Sequence, residues 1–220
     1  MTWTELSYKC NKQSEFSSYL TTLQKASLSI KQDGKPSYIC CTKQKVFSID
    51  KWKIENKLDS HDVDCMYVNC ENSDQIPTKV VLIEFKGGRL IDDWVNAANN
   101  ETLIYKFFDT IHCILPNVLD DEFWKNIFDK KCELNFIIGI EPSHNIIKEQ
   151  SDFDHKNSAN DRIKSRIKPK CITKKSEELK LIENAFKRYS NRTPFSKIII
   201  AEATNLSLNN NFRGYRYIIS

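Results

Sequence analysis

The sequence lacks any run of apolar residues long enough to cross a membrane, and the pattern of its first residues, Met-Thr-Trp-Thr-Glu, does not predict a signal peptide. It also has no internal repeat and no heptad pattern. We therefore expect a cytoplasmic protein that has no membrane partner.

Clustered cysteine is the second absence. The chain has 8 cysteines, yet none forms a Cys-x-x-Cys pair or a Cys/His group at the spacing of zinc ligands. Several of them lie in apolar, strand-like runs, where free cysteine behaves as a small hydrophobic residue. A zinc site is therefore not expected.

Charge of either sign is not strongly in excess. The formal net charge is +4 at pH 7, so the composition permits a polyanionic partner without requiring one. With 220 residues and 40% hydrophobic content, the chain can bury one full-sized core. We expect a single domain over residues 1–220, with a core at about residues 10–140 and a basic C-terminal elaboration at about 148–220.

The most informative segment combines two apolar runs that carry acids. Residues 62–68 and 78–85 are predicted to form a strand hairpin, with Asp64 on the first strand and Glu84-Phe85-Lys86 at the end of the second. Because alternate side chains of a strand share a face, Glu84 and Lys86 should lie on one face and Phe85 on the other. An acid at the end of an apolar row normally has a partner or a metal ion.

Three alternatives remain for these residues. Asp64 could simply end a turn. Glu84 and Lys86 could form an ion-pairing face on a half-exposed antiparallel strand. Asp62, two positions before Asp64, would face the same way and could replace it as a ligand.

Asp64, Glu84 and Lys86 on adjoining apolar strands resemble the motif of the PD-(D/E)xK, or restriction-endonuclease-like, nuclease superfamily. The resemblance covers roughly residues 10 to 140, and Val63 stands where that superfamily usually has a proline. It implies an α/β fold with a mixed sheet core flanked by helices, one or two Mg²⁺ ions held by the acids, and products with a 5′ phosphate.

The same resemblance implies a role for each motif residue. Asp64 and Glu84 would hold Mg²⁺, with Mn²⁺ as an alternative, and the backbone carbonyl of Phe85 would complete the shell of the metal. Lys86 would position the attacking group in an in-line displacement at phosphorus. The expected function is a magnesium-dependent endonuclease acting on DNA in restriction or phage defence, with a homodimer as the assembly in which two sites cut both strands. An RNase of the same fold and a catalytically retired binding or assembly module are the alternatives.

Two further sets of residues are candidates. A helix is predicted over residues 15–30 with Ser14 as its N-cap, and Glu15 matches the glutamate that related nucleases carry on a first helix near the metals. Equally, Glu15 could only complement the helix dipole. The C-terminal elaboration contains a basic tract with cations at alternate positions: Arg162, Lys164, Arg166, Lys168 and Lys170. This tract either contacts nucleic-acid phosphates, forms a solvated loop, or becomes ordered on binding.

The remaining patterns predict a strand or hairpin over 37–49, a long helix over 92–115 ended by Pro116, and a short helix over 120–128. They also predict strands over 132–140 and 196–203, a helix over 176–189, and an edge strand within 212–219.

Overall fold

The computed structural model describes part of the chain: residues 17–30, 34–69, 78–87, 103, 105–119, 121–141, 145–147, 170–172, 180, 184, 196–204, 206, 208 and 216–219. The strands in these ranges are β1 (Leu20–Thr22), β2 (Leu28–Ile30), β3 (Pro36–Tyr38), β4 (Lys45–Ser48), β5 (Cys65–Asn69), β6 (Lys79–Lys86), β7 (Glu133–Ile140), β8 (Asn145–Ile147), β9 (Lys170–Ile172), β10 (Lys197–Glu202) and β11 (Arg216–Ile219). The helices are α1 (Leu23–Ala26), α2 (Ile49–Asn56), α3 (residues 105–118) and α4 (Asp121–Phe128). A 3₁₀ turn at Ser17–Tyr19 precedes β1.

A seven-stranded mixed sheet organises the fold, in the order β1-β4-β5-β6-β7-β10-β11. Strands β4, β5 and β6 form an antiparallel meander, whereas β6, β7 and β10 run parallel. The outer strands β1 and β11 pair antiparallel to their neighbours. The expected α/β class with a mixed sheet is confirmed.

Strand β6 is buried on both faces because each face meets a separate apolar layer. Val80 and Leu82 pack in the layer that contains Phe107 and Ile111 of α3. Val81, Ile83 and Phe85 belong to the other layer. The predicted alternation is confirmed, and it directs Glu84 toward the α3 side of the sheet.

Several predicted elements are confirmed. The hairpin over 62–68 and 78–85 is β5 and β6, which pair antiparallel from Cys65 opposite Ile83 to Asn69 opposite Lys79. The helix over 120–128 and the strands over 132–140 and 196–203 correspond to α4, β7 and β10. The edge strand near the C-terminus is β11, and of the predicted helix over 176–189 the described residues 180 and 184 are both helical.

The helix predicted over residues 15–30 is wrong for the described part of that segment. The chain instead forms the 3₁₀ turn, β1, α1 and β2 in succession. Thr22 caps α1 by accepting a hydrogen bond from the backbone N–H of Lys25, and Leu20 pairs with Phe47 in the sheet. Strand pairing and capping therefore override the loose helical spacing of the leucines.

Of the strand or hairpin predicted over residues 37–49, the hairpin does not form. Strand β3 pairs with β2 in a separate two-stranded sheet, while β4 pairs with β1 and β5 in the main sheet. The two apolar runs have the correct strand character but different partners, because pairing is decided by long-range contacts.

The long helix does not end at Pro116 as predicted. Residues Thr110–Ile114 form a π-helical turn in which Leu115 donates its N–H to the carbonyl of Thr110, and the helix continues through Pro116 to Val118. In a π-helical turn each carbonyl accepts a hydrogen bond from the N–H five residues later instead of four. The hydrogen-bond pattern is therefore already altered next to Pro116, which has no N–H to donate.

Among the described residues, no helix is long and apolar enough to span a membrane.

Candidate active site

Two carboxylates meet at the open end of the β5–β6 hairpin. Asp64 directly precedes β5, while β6 continues beyond the last ladder pair, Cys65 with Ile83. The Oδ2 atom of Asp64 accepts a hydrogen bond of 2.5 Å from the backbone N–H of Phe85. The first acid is thereby fixed to the strand that carries the second acid, Glu84.

Glu84 is a buried carboxylate with two ammonium partners. Its residue surface is 1% exposed, and Oε1 lies 2.9 Å from Nζ of Lys86 and 2.9 Å from Nζ of Lys106. Within the described ranges, Oε2 of Glu84 has no hydrogen-bond partner. One oxygen of this carboxylate is therefore doubly satisfied, while the other is buried without a donor.

The electrostatics show that the two acids repel each other. Burial raises the pKa of the Asp64 carboxyl well above its ordinary value, and the negative charge of Glu84 raises it further. The N–H of Phe85 and the charge of Lys106 act in the opposite direction but do not cancel these effects. A cation placed between the acids would relieve the repulsion.

The backbone carbonyl of Phe85 faces the same side of β6 as Asp64. In an antiparallel ladder the N–H and C=O of one residue point toward the same neighbouring strand. Because the N–H of Phe85 bonds Asp64 on the β5 side, its carbonyl also points to the β5 side, beyond the start of β5. The three oxygen donors expected for a metal thus lie at one end of one hairpin.

Lys106 is a site residue that the sequence reasoning missed. It lies on α3 next to Phe107, which is buried and packs on Phe136 with ring centroids 4.8 Å apart. Burial alone would lower the pKa of Lys106, but the charge and hydrogen bond of Glu84, together with Asp64 and Asp50, raise it. The signal in the sequence was a single cation within the apolar helix pattern Leu103 to Ile111, and that pattern does not say which strand the helix covers.

The loop that carries Asp64 is held by α3. The hydroxyl of Thr110 on α3 accepts a hydrogen bond of 3.1 Å from the N–H of Val63 and donates one of 2.7 Å to the carbonyl of Lys106. Asp109 accepts a hydrogen bond of 3.0 Å from the N–H of His61. The π-helical turn begins at Thr110, so the irregular part of α3 is the part that contacts this loop.

Asp62, the alternative ligand to Asp64, belongs to a network with α2, and its role as a ligand stays a prediction. Its carboxylate binds Nζ of Lys53 on α2, which also donates to the carbonyl of Ser60 at 2.6 Å. Asp50 shares a hydrogen bond with Asp62. One oxygen of Asp62 is therefore engaged with α2, whereas Oδ2 is buried without a hydrogen-bond partner among the described residues.

Asp50 shows the effect of this second acidic pair. Asp50 is exposed overall, but the surrounding protein partly removes water from its carboxylate. This desolvation and the negative charge of Asp62 together raise the pKa of Asp50 to about 6. Lys106 and Lys53 oppose this shift.

Several predicted site residues cannot be located in the structure. Glu15 and the cations Arg162, Lys164, Arg166 and Lys168 lie outside the described residues. Lys170 is described only by its backbone, as the first residue of β9 opposite Asn145. Their roles remain predictions.

The donor set agrees with a hard divalent cation. Among the described residues, no group of three or more His, Cys, Asp and Glu side chains is arranged to hold a metal ion. Magnesium, however, is usually held by one or two carboxylates and keeps several waters. Asp64, the unpartnered Oε2 of Glu84 and the carbonyl of Phe85 fit that requirement.

Comparisons with protein families, with curated proteins and with solved structures find no match to this chain.

Proposed function

We propose that this protein is a Mg²⁺-dependent nuclease that cleaves phosphodiester bonds in DNA. The observation that carries the proposal is the convergence of Asp64, Glu84 and Lys86 at the open end of the β5–β6 hairpin, with a buried carboxylate oxygen of Glu84 that has no partner among the described residues. A buried acid oxygen without a donor is costly unless it binds a cation.

Each residue has a defined task in this reaction. Asp64 and Glu84 would hold Mg²⁺ through carboxylate oxygens, and the Phe85 carbonyl would supply a third protein oxygen. When bound, the metal lowers the pKa of a coordinated water and neutralises charge on the phosphate. Lys86 would orient the attacking water in line with the 3′ oxygen; as the new bond to phosphorus forms, the bond to the 3′ oxygen would break, that oxygen would take up a proton, and the product would carry a 5′ phosphate.

The arrangement of the main sheet supports a restriction-endonuclease-like fold for the proposed enzyme. The antiparallel meander β4-β5-β6 is followed by α3 and then by β7, which runs parallel to β6. A strand hairpin, a long helix and a strand in this order agree with the PD-(D/E)xK resemblance. Restriction or phage defence, cytoplasmic location and a homodimer that cuts both strands extend this proposal by analogy.

A second candidate is a binding module of the same fold whose catalysis has been lost. One observation favours it: Lys86 and Lys106 satisfy Oε1 of Glu84 internally, as in a purely structural ion-pair network. An RNase uses the same phosphate chemistry as a DNase. Only the nucleic acid that the protein cleaves can therefore distinguish an RNase from the proposed DNase.

A substrate panel tests the proposal. Purified protein is incubated with plasmid DNA, single-stranded DNA or structured RNA in Mg²⁺, Mn²⁺ or EDTA, and cleavage rates are measured for wild type, Glu84→Gln and Lys86→Met. We expect metal-dependent DNA cleavage that falls at least about a hundredfold in each variant, the scale of losing one charged catalytic contact.

Glu133 offers a matched control for Glu84. It begins β7 and also lies between two lysines, with oxygens 3.9 Å from Nζ of Lys79 and 3.2 Å from Nζ of Lys197. Glu133→Gln should retain cleavage. Undiminished cutting by Glu84→Gln would disprove the site, cutting of RNA alone would identify the RNase, and tight nucleic-acid binding without any cutting would favour the binding module.

A further inference from the structure

Two lysines share a single oxygen of Glu84. Its single negative charge is already balanced by Lys86, which lies two residues away on the same face of β6. Lys106 reaches the same oxygen from α3, also at 2.9 Å. Lys106 is therefore not needed to neutralise Glu84 itself, although Asp64 and Asp50 also attract its charge.

The backbone of Lys106 is positioned by the structure around it. Its carbonyl accepts a hydrogen bond from the hydroxyl of Thr110. The same hydroxyl accepts a hydrogen bond from the N–H of Val63, the residue before Asp64. On the other side, Phe107 is buried against the sheet. Lys106 is thus fixed to the same loop as the first acid of the site.

The ammonium of Lys106 can nevertheless move. Its side chain is 23% exposed, whereas that of Glu84 is 2% exposed. Lysine carries its charge on a flexible four-carbon stem, and it binds phosphate as a point charge. A divalent cation on Glu84 would repel an ammonium about 3 Å from the same oxygen.

We propose that Lys106 is a further catalytic residue that exchanges partners: it rests on Glu84 in the metal-free protein and binds a non-bridging oxygen of the scissile phosphate once a divalent cation occupies Glu84. This inference rests on the proposed nuclease function. Lys106 would then be a second lysine of the site beside Lys86. It competes with the metal for Glu84 in the resting protein and stabilises the negative charge of the phosphate during the reaction.

Two measurements on one variant test the exchange. Lys106→Met retains the aliphatic stem and removes the charge, while Lys86 still neutralises Glu84. Binding of Mn²⁺ alone is measured by calorimetry, and DNA cleavage is measured at saturating Mn²⁺. We expect Mn²⁺ to bind about tenfold more tightly, because a charge-assisted hydrogen bond no longer competes, and cleavage to fall about a hundredfold.

Two controls separate this result from a structural effect. Lys125→Met makes the same change at an exposed position on α4 and should leave both measurements unchanged. Lys106→Arg retains a cation at the site and should recover part of the cleavage. If Lys106→Met does not fold, Lys106→Gln provides the same comparison.

The opposite result is equally clear. Weaker Mn²⁺ binding in Lys106→Met, or cleavage equal to wild type, would overturn the exchange while leaving the nuclease proposal intact. A wild-type protein that neither binds Mn²⁺ nor cuts nucleic acid would overturn both.

Discussion

Glu84 concentrates the energetic conflict of the site in one side chain. A buried carboxylate is costly to desolvate, and the two lysines at 2.9 Å compensate through only one of its oxygens. The other oxygen lacks a partner among the described residues. This incomplete compensation distinguishes Glu84 from Glu133, which also has two lysine partners but is more exposed. Glu84 lies near the end of β6, whereas Glu133 lies at the start of the neighbouring strand β7.

Asp50 makes the stability of the metal-free protein depend on pH. Its pKa is raised from 3.8 to about 6 by desolvation and by Asp62, against the opposing charges of Lys53 and Lys106. Because the folded state holds this proton more tightly than the unfolded state, the stabilisation is complete below the unfolded pKa and is lost as the pH rises through about 6.

The Asp50→Asn variant should therefore gain stability relative to wild type as the pH rises. Urea unfolding in EDTA at about pH 5 and about pH 7.5, on either side of the raised pKa, measures the difference between the two proteins. We expect a larger gain at the higher pH, whereas Asp59→Asn, at an exposed acid nearby, should show no such trend. An equal difference at both pH values would contradict the assignment.

At the scale of elements, the π-helical turn of α3 joins the two halves of the site. The hydroxyl of Thr110 bonds both the N–H of Val63 and the carbonyl of Lys106. Thr110 is fully buried, so water cannot replace these bonds. The turn thus connects the loop of Asp64 to the lysine that reaches Glu84.

Thr110→Val should destabilise the protein by about 1–3 kcal/mol, because the buried N–H of Val63 loses its acceptor. Thr110→Ser retains the hydroxyl and should lose less stability, mainly from the missing methyl group. Urea unfolding measures both changes, and DNA cleavage should fall more in the valine variant than in the serine variant. Equal stability of the two variants would show that the hydroxyl does not hold the loop.

The sequence predicted the central elements better than the outer ones. Strands β5, β6, β7 and β10 are long or strongly apolar, so their period is readable. The segment from Ser17 to Ile30 consists of elements of three or four residues, which are too short to show a period. Pairing partners depend on distant residues, which explains the wrong hairpin at 37–49.

The candidate site was predictable in part for a similar reason. Asp64, Glu84 and Lys86 lie on one hairpin, where strand alternation and pairing relate positions that are near in sequence. Lys106 and Asp50 come from two helices, and their approach depends on how these helices pack on the sheet. The packing of Phe107 against Phe136 is one such contact that spacing alone does not give.

At the scale of the whole molecule, the sheet is assembled from both ends of the described chain. β1 forms one edge, and β10 lies inside the sheet between β7 and β11. Ile198 and Ile200 of β10 join the same apolar layer as Phe107. The C-terminal part therefore contributes to the core that supports β6 and β7, in addition to any basic surface it carries.

Close packing between the central strands also positions Phe85. Gly139 of β7 lies opposite Phe85, and a Cβ atom at that position would stand 2.9 Å from Cδ1 of the Phe85 ring. Such a distance is closer than carbon atoms approach without displacement. The glycine therefore leaves room for the ring whose backbone N–H holds Asp64.

The most direct test of the account is the position of a divalent cation in the folded protein. Crystals grown with Mn²⁺ and measured for anomalous scattering should show a peak bound by Asp64, Glu84 and the carbonyl of Phe85, with Lys106 turned away from Glu84. Crystals of Glu84→Gln should lack the peak. A wild-type protein that shows no peak at saturating Mn²⁺, with both lysines still on Glu84, would contradict the proposed metal site.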